Sequence, residues 1–130
     1  MARVWGRRGF LVVAWIFIIG LIAQVYLAGV GVFAGSFTTH RDMGYIVSLL
    51  PVLLLLFGAI GRVGRRDLVL SLVLLLQGIL QSILVFQRVS APNVAALHPV
   101  NGVVMLIIGL VLGVDAWRLL REDRPAAAEA

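Results

Sequence analysis

FLVVAWIFIIGLIAQVYLAGVGVF, residues 10–33, runs from end to end without one charged side chain. A helix needs about 20 such residues to cross a hydrocarbon layer of ~30 Å. Three further stretches read the same way outward from it: Tyr45–Ile60, Leu68–Phe86 and Val100–Trp117. The second is short unless its helix starts upstream, near Thr38 or His40. Across all 130 residues 62% of side chains are hydrophobic and 13% charged, far from the usage of a water-soluble domain. Helices are the expected spans, because a closed barrel would need many alternating strands. The apolar run of the first segment also exceeds a signal-peptide core, which makes it a retained span.

The cations fix an expected orientation. All eleven are arginine. Arg3, Arg7, Arg8, Arg62, Arg65, Arg66, Arg118, Arg121 and Arg124 flank one side of a four-span layout, leaving Arg41 and Arg88 on the other. The positive-inside rule then puts both termini in the cytoplasm. So distributed, the net charge of +5 is a topology signal and implies no nucleic-acid partner. Trp5 and Trp117 suit an interfacial aromatic belt on the same side. The expected localisation is the cytoplasmic membrane, multi-pass, with the lipid bilayer as first partner.

Only two histidines occur, and both open the pattern His-x-x-x-Gly: His40 to Gly44 and His98 to Gly102. The offset from His40 to His98 also lays Gly6-Arg7-Arg8 over Gly64-Arg65-Arg66 and Gly20 over Gly78, without a gap. The chain therefore reads as two tandem two-helix repeats, 6–62 and 64–120, in one transmembrane domain. A flexible cytoplasmic tail is expected over 121–130. Gly61 to Arg66 reads as a tight turn, with Ala34–Thr39 and Gln87–Leu97 as longer outer connections. The fold class is all-α: a four-transmembrane-helix up-down bundle. Two helices per repeat give both copies one orientation, so His40 and His98 should meet at one depth across an axis along the membrane normal.

Two imidazoles facing each other suggest one shared ligand. The expected cofactor is a b-type haem with His40 and His98 as axial metal ligands. Gly44 and Gly102, at i+4, would leave room beside each ring, and Arg41 and Arg88 would face the propionates. Gln24 and Gln81 lie in the same half of the membrane, where buried amides are costly, and either could hydrogen-bond a quinone, the second candidate cofactor. Pro99 disfavours helical geometry at His98, which places that histidine at an N-cap or in the preceding loop. Gly31-x-x-x-Gly35 and Gly109-x-x-x-Gly113 read as close-packing stripes, within the chain or in a homo-oligomer.

The segments His40-Arg-Asp-Met-Gly-Tyr and Leu97-His-Pro-Val-Asn-Gly, and the chain as a whole, are similar to a family of small prokaryotic four-span proteins of unassigned function. The layout of four spans with bundle-facing histidines also resembles, more distantly, the membrane-embedded b-type cytochromes. That second resemblance implies electron transfer with a redox partner near the outer membrane face. The chain departs from their pattern in having one histidine pair where they often carry two.

Other chemistries find less support. A zinc centre wants three or four ligands, and only Asp42 and Asn101 adjoin the histidines. Without cysteine, thiolate sites and iron–sulfur clusters are excluded. No carboxylate lies mid-span to couple an exporter to protons, and no nucleophile has a base beside it. The competing expectation, from a different class, is a cofactor-free structural, assembly or homo-oligomeric subunit whose histidines satisfy loop hydrogen bonds.

Overall fold

The structure, a computed structural model, describes residues 1–122. Four long helices carry the fold: α1 (Ala2–Ala34), α2 (Thr38–Gly61), α3 (Arg65–Phe86) and α5 (Leu97–Glu122). One short turn of helix, α4 (Pro92–Ala95), lies before α5. All four long helices are apolar and long enough to cross a membrane. Each exceeds its expected span, because polar and charged residues continue the helix past the apolar run. α1 is the extreme case: its 33 residues make a rod of about 50 Å. Of the expected tail, Arg121 and Glu122 complete α5, and 123–130 lie outside the described residues.

The helices form a square. α1 and α3 each pack against α2 and α5, so α2 and α5 face each other across the centre. Phe10 and Phe17 of α1, Leu54 of α2, Leu74 of α3, and Met105 and Leu112 of α5 are completely or almost completely buried there. The opposite faces of all four helices carry exposed valine, isoleucine and leucine. That inside-and-outside apolarity is what lipid as solvent requires.

Three connections set the geometry. Gly35 ends α1 in the left-handed region at φ 70°, which only glycine enters without cost, and a short link through Ser36 and Phe37 leads to α2. Arg62 ends α2 in the same conformation at φ 49°. The Val63 N–H then donates to Gly58 O at 3.1 Å, and the Val63 side chain is buried against Gly58, which makes a Schellman closure. The third connection, expected as loop over Gln87–Leu97, contains α4, for which Pro92 supplies a preset first turn.

At the end carrying the termini, α1 and α2 touch backbone to backbone. A Cβ on Gly61 would lie 2.8 Å from the Arg7 backbone nitrogen. Beside that crossing Arg7 is buried, 5% exposed. Its Nε donates to Gly61 O at 3.2 Å and its Nη1 to Leu119 O at 3.5 Å. Both carbonyls lie near the C-terminal ends of the diagonal helices α2 and α5, where the helix dipole favours a cation. Its place among the topology arginines gave no hint of this burial.

Candidate functional site

The opposite end of the bundle is where α2 and α5 begin. His40 is the third residue of α2 and His98 the second of α5. Pro99 therefore does not hold His98 in the loop or at the N-cap. It occupies the first turn itself, where its missing N–H has no intrahelical acceptor to lose. Both histidines enter the centre of the bundle from the first turn of their helices, and both are half-buried.

Each ring is held by the neighbouring helix in the same way. His40 Nδ1 lies 3.1 Å from Gln24 O on α1, and His98 Nδ1 lies 3.3 Å from Gln81 O on α3. A carbonyl oxygen only accepts, so Nδ1 carries the proton in both rings. In the neutral imidazole this leaves the Nε2 lone pair available. The ring centroids of His40 and His98 are 6.1 Å apart, with planes inclined at 71°. Phe37, just before α2, meets His40 edge-on at 6.1 Å.

Polar groups surround the pair. Asn101, buried, donates from Nδ2 to Gln77 O at 3.1 Å. Gln24 Nε2, Gln77 Oε1 and Gln81 Oε1 are buried with no hydrogen-bond partner. An unmet buried polar group costs on the order of 1–3 kcal/mol, and here all three lie on α1 and α3, the helices whose carbonyls hold the rings. Gly44 and Gly102 make room for these amides. A Cβ on Gly44 would come 3.7 Å from Gln24 Oε1, and one on Gly102 would come 3.4 Å from Gln81 Nε2.

Thus His40, His98, Gln24, Gln81, Gly44 and Gly102 come together, with the backbone of the two glutamines as important as their side chains. Arg41 and Arg88 do not join them. Arg41 Nε pairs with Asp42 at 2.9 Å on the exposed surface, and the Arg88 side chain is exposed with no ion pair among the described residues. Phe37 was missed. An aromatic one turn before a helical histidine is a usable signal, but it has no counterpart before His98, where Ala95 stands. Among the described residues no three of His, Cys, Asp and Glu converge on one point. The lower glycines pack: Gly109 meets Phe17 and Ile18 of α1, and Gly113 meets Ile18 and Trp15.

Residues 24–88 match the model of a family described as a family of unknown function (DUF6220), which covers half of the chain and includes Gln24, His40, Gly44 and Gln81. No curated protein and no solved structure matches the chain.

Proposed function

We propose that this chain, which belongs to the family of unknown function DUF6220, is a membrane cytochrome that holds one b-type haem between His40 and His98. The observation that carries the reading is the pair itself: two rings 6.1 Å apart, each with Nδ1 engaged by a backbone carbonyl and Nε2 left over. Two imidazoles bound at about 2 Å on either side of one metal have ring centres about 6 Å apart. Rings that share an axis through the metal can be rotated about it by any angle, so the 71° inclination is compatible. The carbonyl contact is the outer partner that fixes a ligating histidine's tautomer and orientation.

The surrounding groups fit as well. The unpartnered amides of Gln24, Gln77 and Gln81 are available to a polar group of a cofactor, a quinone or a water. The N-terminal turns of α2 and α5 open at the histidines, and their dipoles favour the carboxylates of a propionate. Arg41 and Arg88, at the same end, would meet propionates only after turning inward. Haem would supply one-electron chemistry, and the chain's part is to hold the iron with two neutral nitrogens and to set its depth. The site then serves electron transfer with a quinone or a redox partner.

The finer topology belongs to the same proposal. Eight arginines at the terminal end of the described chain, against Arg41 and Arg88 at the other, support cytoplasmic termini and histidines at the outer face of a prokaryotic cytoplasmic membrane. Two tandem repeats are supported by matched contacts: His40 with Gln24 against His98 with Gln81, and Gly61 O with Leu119 O on one arginine. Gly61 and Leu119 are separated along the chain by the same offset as the two histidines, so the second helices keep it throughout. Gln24 and Gln81 are one position closer together than that, whereas Gly20 and Gly78 on the same two helices keep the full offset.

A second reading, the cofactor-free structural or assembly subunit, is favoured by the glutamine side chains that fill the space beside Gly44 and Gly102. For a homo-oligomer, Gly29 of α1 has open space beside it. Titrating haem into the purified chain in detergent separates the two. The cytochrome reading expects saturation at one haem per chain and loss of binding in His98→Ala, whereas a folded chain that takes up no haem supports the subunit.

A further inference from the structure

Between α1 and α2, at the end carrying the termini, a groove of about 560 Å³ opens toward the lipid. We infer that it is a binding site for one anionic phospholipid, with the acyl chain in the groove and the phosphate at Arg8. The walls are Trp5, Gly9 and Val12 of α1 and Phe57 and Ile60 of α2. Gly9 lets the Phe57 ring close against α1 and form one wall: a Cβ there would fall 2.8 Å or less from the ring atoms. Along α1 it extends from Ala2 to Val13, about 16 Å of helix, of which about 8 Å lies on the membrane side of Arg8.

The charge at its mouth selects the occupant. Arg8 is exposed, its guanidinium carbon 5.7 Å above the Trp5 ring, and it has no carboxylate partner among the described residues. Arg3, Arg62 and Arg65 likewise make no ion pair there, whereas Arg66 and Arg118 share the carboxylate of Asp115. An apolar slot running inward from a guanidinium without an ion pair among the described residues, with an interfacial tryptophan beside it, has the two requirements of a phospholipid with a net negative headgroup: a seat for the start of an acyl chain and a charge for the phosphate. A zwitterionic lipid would satisfy the slot without the charge.

Native mass spectrometry of the whole protein, released from micelles supplemented with either phosphatidylglycerol or phosphatidylcholine, tests this. One phosphatidylglycerol should be retained in preference to phosphatidylcholine. Arg8→Gln should lower its retention about fivefold, as expected for one charge near the surface, and Arg65→Gln, the same charge change away from the groove, should leave it within twofold. Val12→Trp, which fills the slot and keeps every charge, should also reduce it. Equal retention of the two lipids, equal effects of Arg8→Gln and Arg65→Gln, or full retention in Val12→Trp would overturn the assignment. Arg8 and Val12 both face outward, so unchanged helicity by circular dichroism verifies that each variant is folded.

Discussion

The Arg7 guanidinium reaches Gly61 O and Leu119 O, tying the last turns of α2 and α5 together at the end of the bundle opposite the histidines. The same two helices meet again through His40 and His98 at their first turns. The diagonal pair is therefore pinned at both ends, by a cation at its negative poles and by an imidazole pair at its positive poles.

Arg7→Met should keep much of the buried stem's packing while leaving the carbonyls of Gly61 and Leu119 without their donor. The expected loss is about 3 kcal/mol, the cost of stranding buried acceptors of a charged donor. Reversible unfolding in mixed micelles measures it. A loss under about 0.5 kcal/mol would mean that the arginine is dispensable to the bundle.

Arg62 is the one non-glycine residue with positive φ among the described residues. Arg62→Gly relieves that conformation and should stabilise the chain by about 1 kcal/mol in the same assay. Destabilisation would show that the guanidinium contributes more than its backbone costs.

At the histidine end, Gly44→Ala and Gly102→Ala should both be tolerated. The atoms that a methyl would meet are the ends of flexible glutamine side chains at 3.7 and 3.4 Å. Gly44→Phe or Gly102→Phe should abolish haem retention while the helices persist, since a ring beside the histidine displaces Gln24 or Gln81. Haem content per chain, measured as the pyridine haemochrome, distinguishes small from large. Retention in the phenylalanine variants would disconnect these glycines from the site.

Gln81→Leu removes an unpartnered buried amide oxygen and leaves the backbone carbonyl that orients His98. The haem-free chain should then gain roughly 1 kcal/mol. Haem affinity should fall by severalfold if the amide engages the cofactor, and a haem titration of the variant reads both states separately. Unchanged affinity would restrict the role of Gln81 to its backbone.

Most of the fold was legible because lipid imposes a one-dimensional code. The uncharged run from Phe10 to Phe33 has few alternatives to a spanning helix, and the arginines mark one end. Helix ends were less legible: Arg3, Arg7 and Arg8 lie inside α1, where hydropathy alone would stop the span at Phe10. The histidine pair was legible from its spacing and topology together. Its anchoring was not, because the partners of both Nδ1 atoms are backbone carbonyls, which every residue has. Nor was the fate of Gly44 and Gly102, since the room beside a glycine belongs to whichever neighbour fills it, and here that is a glutamine from another helix. Arg7 was hidden for a related reason: nothing in Gly6-Arg7-Arg8 distinguishes the arginine that turns inward from the one that faces lipid.

The central claim is that His40 and His98 both bind one iron. Electron paramagnetic resonance of the oxidised, haem-loaded protein tests it most directly. The expected result is a low-spin ferric signal of two nitrogen axial ligands in the native chain, converted to high spin in His40→Ala and in His98→Ala taken singly. A high-spin native protein, or a low-spin signal that survives either substitution, would contradict it.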